Sequence, residues 1–129
     1  MPEKINWTLS AQVIGGPKIS VAKTMDVDAY DKIHVSIDAK ATDAEVEIQP
    51  GGSGQVQFLL ISADQYNDKV SYKVNDEAST TIILLDGPHL LIGSGAVGLL
   101  DEAPTSLFFS NDLDSNVSID ILVGRDATP

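Results

Sequence analysis

Three groups of residues in this chain have types and spacing that bring particular chemistries to mind. The first is Gly93-Ser94-Gly95-Ala96-Val97-Gly98, a G-x-G-x-x-G pattern. Between a strand and a helix, such glycines let the backbone close on a pyrophosphate while the helix amides face the anion. The strand-like Leu90-Leu91-Ile92 precedes it, but Leu99-Leu100-Asp101-Glu102-Ala103-Pro104 would stop a helix within two turns, and no other βαβ signal exists. The expectation is that Gly93, Gly95 and Gly98 serve close backbone packing or a bulge between strands, not phosphate.

The second group, Asp112-Leu113-Asp114-Ser115-Asn116, matches the opening ligands of a calcium loop. An EF-hand would continue with glycine and end on a bidentate glutamate, where this chain has Val117 and Val123. A looser calcium site would need a second acidic segment, such as Asp26, Asp28 and Asp31. Otherwise these are turn residues that bond their own backbone.

The third group comprises the nucleophiles, bases and carboxylates. His34 and His89 are too few and too far apart in sequence for an imidazole-rich metal centre, and there is no cysteine. The serines lack a G-x-S-x-G turn. Glu45 and Glu47 share one face of one strand, the simplest wet side of a sheet. No catalytic residue, metal ligand or cofactor is therefore assigned, and the chain reads as non-enzymatic.

Charge narrows the partners. The 129 residues carry a net charge of −11, with eight scattered basic side chains. A negative field repels phosphate backbones and anionic lipid, so neither nucleic acid nor membrane is expected. Cations and basic protein surfaces stay compatible. The opening Met1-Pro2-Glu3-Lys4-Ile5-Asn6-Trp7 lacks the basic and apolar regions of a secretory signal, so a cytoplasmic location is expected.

The elements behind these groups are short strands. Ile5, Trp7, Leu9, Ala11 and Val13 alternate with polar residues up to Gly15-Gly16-Pro17, predicting a half-buried strand with Trp7 toward the core. Further strands are expected at 19–22, 32–38, 44–48, 55–62, 69–74, 80–85, 89–92, 96–100, 106–110 and 117–123, with a loop or helical turn at 26–31. No segment keeps helical period for the ~10 residues a helix needs. With 89–92 and 96–100 flanking a single glycine-rich interruption, the pattern predicts one all-β domain, an antiparallel, jelly-roll-like β-sandwich of about nine or ten strands.

Several of these strands are apolar on both faces. Phe58 to Ile61, Ile82 to Leu85 and Leu90 to Leu100 are too short to span a membrane, and a sandwich strand needs only one apolar face. A second copy is one cover for the other face. Phe58, Leu60, Ile83, Leu85 and Leu91 are the candidate interface residues, joined by Arg125, the only arginine, whose fork suits a carboxylate within or between subunits. The expected function is a structural or scaffold module that self-associates into a symmetric homo-oligomer. The alternative is a small-ligand or carbohydrate-binding sandwich, assisted or not by calcium, with loops around Tyr30, Tyr66 and His89 as its site.

Overall fold

Apolar and polar residues alternate along most of the segments that become strands, and this period of two drives the architecture. A computed structural model describes residues 3–49, 54–100 and 103–126. Its strands are β1 (Glu3–Gln12), β2 (Lys18–Val27), β3 (Ala29–Ile37), β4 (Ala44–Glu47), β5 (Gln55–Ala63), β6 (Val70–Val74), β7 (Ile83–Leu84), β8 (His89–Ile92), β9 (Ser106–Asn111) and β10 (Val117–Asp126).

Two four-stranded antiparallel sheets, β3-β10-β5-β8 and β4-β9-β6-β7, pack face to face, while β1 and β2 pair only with each other. The pairs β3·β10, β4·β9, β5·β8 and β6·β7 are the rungs of one long hairpin rolled onto itself. That winding is a jelly roll. Its core consists of the inward positions: Ile37 from β3, Val46 from β4, Leu59 and Ile61 from β5, and Val70, Tyr72 and Val74 from β6. Leu107 and Phe109 from β9 and Val117, Ile119, Ile121 and Val123 from β10 join it, with Ile48, Val56, Leu85 and Val97 packed among them. Asn111, almost fully buried, ties the end of the roll by donating from Nδ2 to the carbonyls of Ile37, Asp38 and Ser115. Among the described residues no helix is long and apolar enough to cross a membrane.

Several boundaries differ from the expectations. The segment 26–31 is almost wholly extended, with β2 running to Val27 and β3 starting at Ala29. Only Ile83 and Leu84 of 80–85 pair in the sheet. The expected strand 96–100 is instead a four-residue helix, α1 (Ser94–Val97), followed by a 3-10 turn at Gly98–Leu100. A strand there would have to pair along its backbone, whereas the Val97 amide closes a turn onto the Gly93 carbonyl.

The role expected of the three glycines is corrected as well. Gly93 has φ +91, which favours a residue without Cβ, but a Cβ at Gly95 or Gly98 would meet nothing within 4 Å. Among the described glycines, the most crowded are Gly54 and Gly124.

Candidate assembly surface

β1 and β2 form a hairpin arm, ten residues on each strand, paired from Glu3↔Val27 to Gln12↔Lys18. At the usual strand rise it is roughly 30 Å long. Its turn is closed by Val13 N–H donating to the Pro17 carbonyl at 3.0 Å and by Gly16 N–H to the Val13 carbonyl at 2.7 Å. Gly15 takes φ +75 there.

Because side chains alternate, the arm has two different faces. One carries the pairs Lys4↔Asp26, Asn6↔Thr24, Thr8↔Ala22, Ser10↔Ser20 and Gln12↔Lys18. It is polar, with Lys4 Nζ 2.8 Å from Asp26 and Thr24 Oγ1 2.5 Å from Asn6 Oδ1. The other carries Ile5↔Met25, Trp7↔Lys23, Leu9↔Val21 and Ala11↔Ile19, so Lys23 is its only charged member short of the Glu3↔Val27 end. The expected half-burial holds only near the root: Ile5, Trp7 and Met25 are partly covered. Farther out, Leu9, Val13, Ile19 and Ile14 are 48%, 64%, 70% and 100% exposed.

The root of the arm lies on the outer face of the β3-β10-β5-β8 sheet. Gly124 makes this approach geometrically accessible: an added Cβ would stand 2.7 Å from Ile5 Cδ1, 3.1 Å from Val27 Cγ1 and 3.3 Å from Phe58 Cβ. A bulge turns Phe58 toward this spot. The β10 register passes from Gly124↔Phe58 to Arg125↔Val56, leaving Gln57 as an extra residue in β5. Its carbonyl accepts from Gly93 N–H at 2.7 Å. Val56, Leu59 and Ile61 thus enter the core, while Phe58, Leu60 and Ser62 take the opposite face. The apolar run at Phe58–Ile61 therefore has its second face covered in part by the chain's own arm.

Beyond the root, Trp7, Leu9, Val21 and Lys23 face Pro88, Leu90, Ile92 and Ala96 across a cleft of about 630 Å³. The outer face continues from there. Leu90, Leu60 and Leu122 stand side by side on β8, β5 and β10, all half-buried. Leu60 and Leu122 line a smaller hollow of about 160 Å³ together with Lys32, Ser62 and Asp120.

The six residues expected at an interface fall in different places. Leu85 is fully buried in the core, and Ile83 and Leu91 pack against it. Phe58 lies beneath the arm with 3% exposure. Arg125, also buried, forms an ion pair through Nη1 with Asp31 of the same chain. Leu60, of the six, lies on the open outer face. The hairpin arm itself was not foreseen, although equal alternating segments on both sides of Gly15-Gly16-Pro17 signal a hairpin.

Residues weighed for other chemistry are scattered or engaged. Lys40 Nζ stands 3.4 Å from Asp112 and 3.3 Å from Asp114. Its hydrogen bond to Asp114 is the main reason its pKa is raised, and Asp112 adds to the effect. Asn116 Oδ1 accepts from Ala39 N–H. Asp31 lies opposite Val123 and the 112–116 loop precedes Val117, so the two acidic segments sit at opposite ends of β10, roughly 20 Å apart. Among the described residues no three His, Asp or Glu side chains gather as a metal site would require.

Tyr30 pairs opposite Gly124, whereas Tyr66 follows Ala63, the partner of Ile119, so the two rings lie near opposite ends of β10, roughly 17 Å apart along it. His89 Nδ1 is 2.8 Å from Tyr72 Oη, and burial pushes that phenol's pKa up to about 12. His34 Nδ1 contacts Asp120 at 2.8 Å on the exposed face. The three residues of the alternative ligand site are not brought into one loop cluster. Comparison of the chain with protein families, curated proteins and solved structures finds no match.

Proposed function

We propose that this protein is a non-enzymatic structural module that self-associates into a symmetric homo-oligomer through its hairpin arm. The observation that carries this reading is the exposed apolar face of the arm, from Leu9 to Ile14 and back through Ile19 to Val21. Full burial of an aliphatic side chain contributes about 1.5–3 kcal/mol. Four or five such side chains held out on one ordered ribbon are enough to drive association once a partner covers them. Closed symmetry limits the number of exposed copies of such a surface. Cytoplasmic residence is part of the same proposal.

The test is sedimentation equilibrium of the intact chain across micromolar concentrations. A single species of higher mass, or a concentration-dependent rise toward one, supports the module. A monomer at every concentration removes it.

A second reading, a small-ligand-binding module, draws on the cleft beneath the arm, whose wall includes the single tryptophan. Saturable change in Trp7 emission on titration with a sugar or a small apolar compound would favour it.

A further inference from the structure

Self-association leaves open what the arm seats on, and apolarity and charge narrow that choice. The distal arm is apolar on one face, and residues 5–25 contain Lys18 and Lys23 and no carboxylate. The whole chain is at −11, so everything outside that segment is more acidic still. A basic, apolar finger on an acidic body is complementary to another copy of the same body. The body also offers a matching surface. The row Leu90, Leu60 and Leu122 crosses three strands on the outer face, continuous with the cleft that the arm already lines. Asp120 and Lys32 stand beside it, so the match at the row is apolar and the charge complementarity is that of the acidic body as a whole. Within one chain the arm root rests on Phe58 and Gly124, next to this row, while Ile14 and Ile19 stay exposed.

We infer that the distal arm of one copy, with Ala11, Val13 and Ile19 on its apolar side and Ile14 at its tip, seats on the Leu60–Leu122 row of a second copy, next to Asp120. This rests on the self-association proposed above and specifies its geometry. An arm that reaches a neighbour's sheet and leaves its own sheet free to receive another closes a dimer if the exchange is reciprocal, or a ring if it proceeds in one direction. Lys18, next to Ile19 on the arm's polar face, brings positive charge to the edge of this contact with an acidic body, so the association weakens with salt.

The absence of cysteine makes the test direct. Ile19→Cys and Leu122→Cys are prepared as separate full-length proteins, each with its mass in solution measured first, then mixed and mildly oxidised. The inference expects a disulfide-linked pair in the mixture at least tenfold more abundant than in either protein alone. An oligomer by mass in which Ile19→Cys alone crosslinks as efficiently would place arm against arm. An oligomer with no crosslink would place the contact elsewhere. Either result overturns this inference and leaves self-association standing. Monomers in both preparations overturn self-association and this inference together. So does a monomer whose arm binds phosphatidylserine vesicles, with Ile14→Ser abolishing the binding, because a lipid surface would then be what covers the arm.

Discussion

Ile5 lies directly over Gly124, with its Cδ1 2.7 Å from where a Cβ on residue 124 would be. This is the point at which the arm is fastened to the sandwich. Val27 at 3.1 Å and Phe58 at 3.3 Å close the remaining sides, so a methyl group has little room. Gly124→Ala is expected to destabilise the domain by about 1–3 kcal/mol through overpacking. Trp7, two residues along the same face, should become more exposed and shift its emission to the red. Ile5→Ala in the same chain relieves the crowding, so urea unfolding of the four members of the cycle should show a favourable coupling. Additive losses would mean that Ile5 and Gly124 do not touch.

The Arg125–Asp31 pair is buried, and its loss is expected to be expensive. Asp31→Ala strands a guanidinium in the end of the sandwich and should lower stability by about 3–5 kcal/mol. The exposed Lys4–Asp26 pair on the arm is the control. Lys4→Ala should change stability by less than about 1 kcal/mol. Thermal or urea unfolding of the two variants measures both. Equal effects would contradict the difference in burial that separates them.

Tyr72 gives the fold an alkaline limit. Burial raises its pKa from 10.0 to about 12, so the folded state favours the neutral phenol more than the unfolded state does. Its contribution is fully present below pH 10 and is lost as pH rises from 10 toward 12. A shift of that size corresponds to a loss on the order of 2–3 kcal/mol. Tyr72→Phe should flatten this part of the stability profile, at the expense of the hydrogen bond to His89 at neutral pH. A variant with the same alkaline decline as the parent would assign the effect to another group.

The alternation of Ile33, Val35 and Ile37, of Val46 and Ile48, and of Ile119, Ile121 and Val123 was enough to read half-buried strands, because one buried face per strand fixes the side-chain period, and the number and spacing of such strands pointed to a jelly-roll-like β-sandwich. The doubled faces were legible too, but not their cause. At Phe58–Ile61 a bulge at Gln57 reverses the alternation, and nothing in a list of residues marks which peptide will be extra. The convergence of Ile5, Val27 and Phe58 on Gly124 brings distant segments together and is invisible to any local pattern. The same holds for Arg125. Its carboxylate partner was foreseen as a type, but Asp31 becomes a neighbour only through the β3·β10 register. The helical turn at Ser94–Val97 escaped notice because four residues are too few to show a period.

If the arm joins the copies, light scattering on two proteins will show it. Ile14 and Ile19 are 100% and 70% exposed, so the double variant Ile14→Ser with Ile19→Ser should leave the jelly roll's unfolding transition in place. The parent mass is expected to be a whole multiple of the chain mass at micromolar concentration, and the variant is expected to be monomeric under the same conditions. A parent that is itself monomeric, or a variant that assembles as the parent does, would contradict assembly through the arm.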